Sequence, residues 1–398
     1  MLEIHLNLYH AVALGAAMFW LGGLLTDRIA LFNRFCIPAP LVGGLSFALV
    51  NTLLYASGTA VITFDNTLET VFMVMFFTTV GFTVSIPALL KGGRSVLLLL
   101  TLGIVMILLQ NGLGGGVMAA MGKSPLYGIG CGSVALIGGP GTAAAIGPDL
   151  EAAGAAGARA ASIAAATFGL VAGSLMGGPI ARRLIRVHNL RSASDDAAAD
   201  STPEGETETF SSSPSRFVRG FMLLLLAVGV GSQVSAWLTA LFGFSFPAYI
   251  GAMLVAVVVR NGVDFAHMSF PDREIDTLGN MFLSIFLAMA LSGLKLWQLV
   301  DLALPMLACL ALQVVLMFFF AYFVVFRIMG RDYDAAVMTA GFIGFGMGAT
   351  SNAMANMQAV TRRYGPSPVS YFAIPMVGSL FIDFFNASII AFNIGLWS

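Results

Sequence analysis

Two glycine-rich stretches carry the residues best suited to hold a small charged ligand. The first, at 126–147, contains GGPGT at 138–142, and the second, at 335–357, contains GFGMGATSN at 344–352. Gly and Pro both disfavour a continuous helix, and a broken helix in a membrane leaves backbone N–H and C=O groups that lipid cannot satisfy. Freed N–H groups at a helix start favour anions, whereas freed carbonyl oxygens favour Na⁺. The breaks therefore predict a site for an anion and a small cation.

Short polar side chains beside the breaks and one distant acid complete this candidate ligand site. Asp383 lies near the middle of an apolar segment at 370–392, where a carboxylate is costly and usually marks a pathway, an ion site or a charged partner. One alternative is a structural ion pair between Asp383 and an arginine such as Arg159, and the alternative for the glycines is close helix packing. The residues that we expect to bind the ligand are Gly139, Gly141, Thr142, Gly346, Gly348, Thr350, Ser351, Asn352 and Asp383.

Amide and hydroxyl side chains in the apolar segments are candidates for the cation. Amides offer both donors and acceptors, and Asn352 and Asn356 are four residues apart, so they share one face of a helix. The alternative for the amides after the second break is an interfacial helix whose amides are solvated. The alternative for Gln110, Asn111 and Thr79 is an interhelical hydrogen bond. The residues that we expect to bind Na⁺ are Gln110, Asn111, Thr79, Asn356, Gln358 and Asn386.

Composition identifies the class of protein that must position these residues. Of the 398 residues, 58% are hydrophobic and only 10% are charged, against about 25% charged in a typical soluble domain. The chain is therefore predicted to be an all-α polytopic membrane protein. A formal net charge of -1 without a basic cluster argues against nucleic-acid binding. The 3 cysteines and 4 histidines form no ligand cluster, so neither a transition metal nor another cofactor is expected.

Apolar runs long enough to cross about 30 Å of hydrocarbon recur along the chain. If the two glycine-rich stretches enter the membrane and return, 16 of the 19 Lys and Arg residues fall on one side, which is then cytoplasmic. Both termini face outward in this arrangement, and the acidic, polar segment at 188–215 is a disordered cytoplasmic linker. The ten predicted crossings are 8–25, 38–57, 68–90, 95–121, 160–182, 217–241, 246–262, 278–295, 301–326 and 370–392.

The two halves of the chain resemble each other. GPG at 139–141 matches GMG at 346–348, and GSL at 173–175 matches GSL at 378–380, with offsets of 207 and 205 residues. Five crossings separate the starts of the halves, so the second copy is predicted to be inverted. Inverted repeats with broken elements at the midplane are typical of secondary transporters. The predicted domains are a first repeat at 1–187, the linker at 188–215 and a second repeat at 216–398.

Several long motifs, in this order, resemble the bacterial sodium/glutamate symporter family. They are AATFGLVAGSLMGGP at 165–179, GFGMGATSNAMANMQAVT at 344–361 and PMVGSLFIDFFN at 375–386, together with QNG at 110–112. The resemblance covers nearly the whole chain outside the linker. It implies an inner-membrane homodimer of ten helices in two inverted repeats, whose re-entrant tips meet at the binding site. It also implies that one domain moves against a dimerising scaffold, as in an elevator-type transporter, and imports L-glutamate with Na⁺ as the coupling ion.

This chain departs from the family pattern at the two breaks. Pro140 stands where the family has a histidine, Phe342 stands where it has another, and Ser351-Asn352 replaces the usual Pro-Thr. A sodium-coupled symporter of a dicarboxylate or a 2-hydroxycarboxylate is therefore the main alternative. A passive channel is a minor one. An intramembrane hydrolase is disfavoured, because only Asp383 lies deep in a predicted crossing and no histidine does.

Overall fold

The computed structural model describes residues 1–35, 37–87, 93–192, 214–242 and 246–397. Over these ranges the chain is almost entirely helical, and nine helices are long and apolar enough to cross a membrane. A tenth apolar helix, α4, has 17 residues. The class of polytopic helical membrane protein is thus confirmed, whereas the linker predicted at 188–215 lies mostly outside the described residues. The helices are α1 (Leu8–Arg28), α2 (Ala30–Arg34), α3 (Ala39–Ala56), α4 (Thr67–Thr83), α5 (Gly93–Ala120), α6 (Pro125–Gly130), α7 (Ser133–Leu136), α8 (Gly139–Ala152), α9 (Ala158–His188), α10 (Pro214–Phe242), α11 (Ala248–Phe265), α12 (Asp272–Ser292), α13 (Ala303–Ile328), α14 (Tyr333–Gly346), α15 (Thr350–Tyr364) and α16 (Pro368–Trp397).

Two short strands are the exception to the all-α prediction. Strand β1 (Leu2–Leu6) pairs in parallel with β2 (Ala60–Phe64). The Asn51 side chain fixes β2 against α3, since its amide donates to the Ile62 carbonyl over 3.0 Å and its oxygen accepts the Ile62 N–H over 2.9 Å. The apolar, β-branched residues of Ala60–Phe64 are typical of a strand. The segment is so short that hydropathy does not distinguish it from the apolar crossings on either side.

The third predicted crossing, at 68–90, is shorter in the structure. Helix α4 ends at Thr83, because Val84 adopts an extended conformation and a proline follows at position 87. Polar groups of α11 hold the turn: Ser85 donates to Asp264 over 2.5 Å, and the Ile86 N–H donates to Asn261 over 2.7 Å. Hydropathy alone could not locate this end, since the residues after Thr83 are also apolar.

The helices form two groups by their contacts. The panel group consists of α1, α3, α4, α10, α11 and α12, in which α4 packs on both α11 and α12, and α3 packs on both α1 and α12. The hairpin group consists of α5–α9 and α13–α16, in which α9 packs on α8, α14 and α15. Contacts between the groups are made mainly by α12 with α8 and by α4 and α11 with α16.

Each glycine-rich stretch forms a hairpin within the hairpin group. Hairpin 1 is α6–α8 and hairpin 2 is α14–α15. In hairpin 1 the Tyr127 hydroxyl donates to the Ala156 carbonyl over 2.8 Å, and in hairpin 2 the Tyr333 hydroxyl donates to the Gly365 carbonyl. Each stretch therefore returns to the level at which it starts, and the glycine motifs lie at the two tips.

The crossing of α1 and α3 depends on two glycines. An added Cβ would lie 1.9 Å from the Ala39 carbonyl oxygen at Gly22 and 1.7 Å from the Met18 carbonyl oxygen at Gly43. The neighbouring Gly23 has no atom within 4 Å of its added Cβ. Glycine is thus required at the first two positions because backbone opposes backbone.

We expect Gly22→Ala to lower the thermal midpoint of the detergent-solubilised protein, since overpacking costs about 1–3 kcal/mol. Gly23→Ala is the matched control, and it should leave the midpoint unchanged or raise it slightly, because Ala is the better helix former. Fluorescence-detected thermal unfolding of both variants measures this difference. Equal midpoints for the two variants would contradict the close backbone contact.

Candidate functional site

The tips of the two hairpins meet inside the protein. Hairpin 1 turns at Gly138 and Gly139, and hairpin 2 turns between Gly346 and Thr350. Gly139 has a φ of 67°, and an added Cβ would lie 3.0 Å from the Gly348 carbonyl oxygen. Glycine is required at position 139 on both counts, since a side chain there would be strained and would push the tips apart.

A cavity of about 360 Å³ lies between the two tips and the panel helices α4 and α12. Of the residues predicted to bind the ligand, Gly139, Gly141, Thr142, Gly348, Thr350 and Asp383 line it. The structure therefore brings together six of the nine predicted residues, from three elements that are far apart in sequence. The opposite wall is mainly apolar and includes Pro38, Pro40, Phe76, Phe77, Val80, Leu283 and Leu287, and Phe345 of hairpin 2 adds to the apolar lining.

Asp383 is the only ionisable side chain among the described residues that line the cavity. It has no hydrogen-bond or ion-pair partner within the part of the chain that the structure describes. The alternative pairing with Arg159 is wrong, because Arg159 forms an ion pair with Glu69 of α4 instead. Asp383 is therefore left to face the cavity as an unpaired carboxylate, which suits it to bind a cationic group.

Two helix N-termini also point at the cavity. Helix α8 starts at Gly139 and helix α15 starts at Thr350, and both residues line the cavity wall. The first N–H groups of a helix have no partner within it, and the start of the helix carries a partial positive charge. The cavity thus offers two anion-binding ends together with one carboxylate.

The far side of hairpin 2 is held by the π-helical turn of α16, Met376–Phe381. The Thr350 hydroxyl donates to the Gly378 carbonyl in this turn over 2.7 Å. Such wide turns expose backbone groups and are frequent at functional sites. The turn ends two residues before Asp383. Its hydrogen bond with Thr350 therefore fixes the position of the Asp383 carboxylate relative to the tip of hairpin 2.

Asn352 and Asn356 anchor hairpin 2 rather than line the cavity. The Asn352 side chain donates to the Leu170 carbonyl over 2.7 Å, and the Asn356 side chain donates to the Gly173 carbonyl over 3.0 Å. Both carbonyls belong to α9, so these bonds join the second half of the chain to the first. Gly346 serves the same kind of contact, because its carbonyl accepts from Gln110 over 2.9 Å.

Gln110, Asn111 and Asn386 lie together in a buried cluster behind the tips. Asn111 accepts the Ser133 N–H over 3.0 Å, and Asn386 donates to the Ser133 carbonyl over 3.1 Å. The structure thus brings these three predicted cation-binding residues to the same region, next to hairpin 1.

Three predicted residues lie elsewhere. Thr79 is on α4, where its hydroxyl donates to the Phe76 carbonyl over 2.7 Å, while Ser351 and Gln358 are exposed on α15. Two polar residues of α12 that the sequence analysis missed, Asn280 and Ser284, do line the cavity. Their spacing of four residues places them on one helix face, which was the signal available in the sequence.

Comparison with known proteins gives one consistent result. A family model described as "Sodium/glutamate symporter" matches residues 4–366. The chain is 38% identical over 391 residues to the sodium/glutamate symporter of Escherichia coli (strain K12), covering 97% of each protein. It is 37% identical over 392 residues to the protein of the same name from Haemophilus influenzae, covering 96% of each.

Proposed function

The chain belongs to the sodium/glutamate symporter family, and from that membership we propose that it imports L-glutamate together with Na⁺ across the bacterial inner membrane. The observation that carries the proposal is the cavity between the hairpin tips, with Asp383 and two helix N-termini in its wall. The candidate function is that of a transporter, so the site is built to bind and release, without a covalent step.

The charges of the cavity complement those of glutamate. Glutamate at neutral pH carries one ammonium and two carboxylates, and the wall offers one carboxylate and two positive helix ends. No Lys, Arg or His lies among the described residues that line the cavity. In our proposal Asp383 binds the ammonium group, and the N-termini of α8 and α15 each bind one carboxylate. Thr142 supplies a hydroxyl group beside the start of α8, whereas the Thr350 hydroxyl is already donated to the Gly378 carbonyl.

Co-transport with Na⁺ supplies the driving force. A glutamate ion that enters a negative cytoplasm is opposed by about 2.3 kcal/mol per 100 mV. One Na⁺ cancels this charge, so an inward Na⁺ gradient can then drive entry, and any further Na⁺ adds the membrane potential to the driving force. Because the two ligands are coupled, each raises the affinity of the protein for the other by the same factor.

The finer architecture belongs to the same proposal. The order of elements in α1–α9 recurs in α10–α16, and the base-closing Tyr127 and Tyr333 are 206 residues apart, which supports two repeats at 1–187 and 216–398. The excess of Lys and Arg on one side of the predicted crossings supports an inverted arrangement, in which the linker is cytoplasmic and both termini face outward. We assign the hairpin group as the part that moves. We assign the panel group as the scaffold, which also makes the homodimer contact. The two groups can move against each other because contacts between them are few.

In proteoliposomes, we expect an inward Na⁺ gradient to drive accumulation of labelled L-glutamate. Replacing Na⁺ by choline should reduce uptake to the background of empty vesicles, because the coupling ion is then missing. Malate and citrate should compete poorly, since neither has an ammonium group for Asp383. Equal uptake in choline would contradict sodium coupling, and strong competition by malate would favour the dicarboxylate alternative.

A further inference from the structure

A buried polar cluster lies behind the hairpin tips and joins both halves of the chain. Its members are Gln110, Asn111, Ser133, Gln313 and Asn386, all of which are at most 1% exposed. Gln110 donates to the Gly346 carbonyl in hairpin 2, Gln313 donates to the Gln110 carbonyl, and Asn386 donates to the Ser133 carbonyl in hairpin 1. We call these five side chains the amide cluster.

These hydrogen bonds fix which atom of each amide points away from the backbone. A carbonyl oxygen accepts only from an N–H, so the NH₂ groups of Gln110, Gln313 and Asn386 must face their carbonyl partners. The side-chain oxygens Gln110 Oε1, Gln313 Oε1 and Asn386 Oδ1 are consequently left without a partner among the described residues, and so are Ser133 Oγ and the Asn111 NH₂ group. An unpaired buried polar atom is costly and calls for an explanation.

Ser133 Oγ and Asn386 Oδ1 are the two unpaired oxygens that lie close to each other. Both side chains are held at the backbone of Ser133, one by its own covalent bonds and the other by a hydrogen bond. Asn386 is bonded to the Ser133 carbonyl over 3.1 Å, and Asn111 accepts the Ser133 N–H over 3.0 Å. Asn111 has its oxygen occupied by this bond, so it positions Ser133 and does not offer a ligand atom. The Ser133 carbonyl already accepts three donors, from Asn386, Ile137 and Gly138.

The unpaired atoms have the chemistry of a site for a monovalent hard cation. Four of them are neutral oxygens, and the fifth, the Asn111 NH₂ group, is a donor that takes no part in binding a cation. There is no carboxylate among them to favour Ca²⁺ or Mg²⁺, whose sites use such oxygens. No group of three or more His, Cys, Asp or Glu residues able to hold a metal occurs in the described ranges. A small monovalent cation can be held by uncharged oxygens alone, because less charge has to be neutralised.

We infer that Na⁺ binds in the amide cluster at Ser133 Oγ and Asn386 Oδ1, with Gln110 and Gln313 oxygens beside it. This inference rests on the proposed function, and it adds Ser133 and Gln313 to the residues assigned to the ion. Asn386 follows Asp383 by three residues on the same face of α16. Ser133 precedes the tip glycine Gly139 in hairpin 1. An ion here therefore connects the first tip to the helix that carries the substrate-binding carboxylate.

The arrangement explains how the ion and the substrate can be coupled without sharing ligands. With the ion bound, Asn386 and Ser133 are held together, so Asp383 and the tip of hairpin 1 keep a fixed separation. Without it, the unpaired oxygens no longer have a common partner, and only the hydrogen bond from Asn386 to the Ser133 carbonyl joins the two elements, which then separate more readily. Substrate affinity then falls because the cavity loses its order, which is the direction that reciprocal coupling requires.

The test is the Na⁺ response of Ser133→Ala. This change removes the hydroxyl but keeps the backbone groups that bond Asn386 and Asn111. We expect the Na⁺ concentration for half-maximal uptake to rise at least about tenfold, the loss expected for a bond to a charged group. The glutamate concentration for half-maximal uptake, measured at saturating Na⁺, should stay within about twofold of wild type, since the hydroxyl is not in the cavity.

Thermal unfolding gives a second readout that does not depend on transport. Na⁺ should raise the midpoint of the wild type relative to choline, because it binds only the folded protein. The same Na⁺ concentration should raise the midpoint of Ser133→Ala by much less. Ser162→Ala is the matched control: Ser162 is equally buried and its hydroxyl also has no partner among the described residues, but it lies on α9 outside the amide cluster.

The outcomes separate this site from the proposed function. If wild type shows no Na⁺-driven uptake, the proposed function fails. If wild type is Na⁺-driven but Ser133→Ala and Ser162→Ala respond to Na⁺ alike, the site is overturned and the unpaired oxygens hold water. Should Ser133→Ala not fold, Ser133→Cys is measured in the same way, since a thiol of similar size is a poor ligand for Na⁺.

Discussion

Replacing Asp383 by asparagine should abolish Na⁺-driven glutamate uptake while the protein remains folded in the membrane. Asp383 is the only ionisable residue among the described residues that line the cavity, and in our proposal it binds the ammonium group of the substrate. Removing one partner of a desolvated charge pair costs about 2–5 kcal/mol, which corresponds to a loss of affinity of roughly 30-fold to several thousand-fold. Folding should survive, because no described residue depends on Asp383 for a hydrogen bond. Initial uptake rates in proteoliposomes, normalised to inserted protein, measure the effect.

Asp276→Asn is the control for this change. Asp276 is an exposed carboxylate near the start of α12 and does not line the cavity, so its loss should leave uptake close to that of wild type. Full uptake by Asp383→Asn would remove Asp383 from the site. A loss of uptake that is equal in both variants would indicate a general effect of charge on the protein.

Gly139→Val should reduce uptake by roughly 10- to 100-fold, since backbone strain of this kind costs about 1–3 kcal/mol. Two effects act together at this position. The φ of 67° is unfavourable for a β-branched residue, and a side chain would press on the Gly348 carbonyl oxygen at 3.0 Å. The tips would therefore separate, and the start of α8 would move away from the substrate. The same uptake assay, together with glutamate binding at saturating Na⁺, measures the change.

Gly122→Val separates crowding at the tip from strain alone. Gly122 has a similar φ of 72°, but an added Cβ has no atom within 4 Å, and the residue lies outside the cavity. We expect this variant to retain most of its uptake, with at most a lower thermal midpoint. Comparable losses in the two variants would mean that the close approach of the tips is not required for binding.

The long helices and the breaks were predictable because both follow from local composition. Helix α5 spans Gly93–Ala120 against a predicted 95–121, and the break in hairpin 2 falls between Gly346 and Thr350, as the glycine pattern indicates. Hydropathy and helix breaking are properties of a short window, so one sequence is enough to locate them. The end of α4 and the two strands were not predicted, since they depend on polar partners from other elements.

The site was predictable only in part, because sequence does not tell which face of an apolar helix meets the cavity. Asp383 stood out since a carboxylate is rare in such a segment. Thr79 and Gln358 looked equally suitable, yet one bonds its own helix and the other is exposed. Asn280 and Ser284 were missed because α12 packs in the other group of helices, and only the assembled fold brings that face to the hairpin tips.

The hydrogen bonds that cross between the halves bear on how the chain is made in the membrane. Asn352 and Asn356 from the second half satisfy carbonyls of α9, and Gln313 satisfies a carbonyl of α5. These donors are synthesised long after the first half has entered the bilayer. Helices α5 and α9 of the first half are therefore inserted before the donors that bond these carbonyls exist. The final packing of the first half therefore requires the second half.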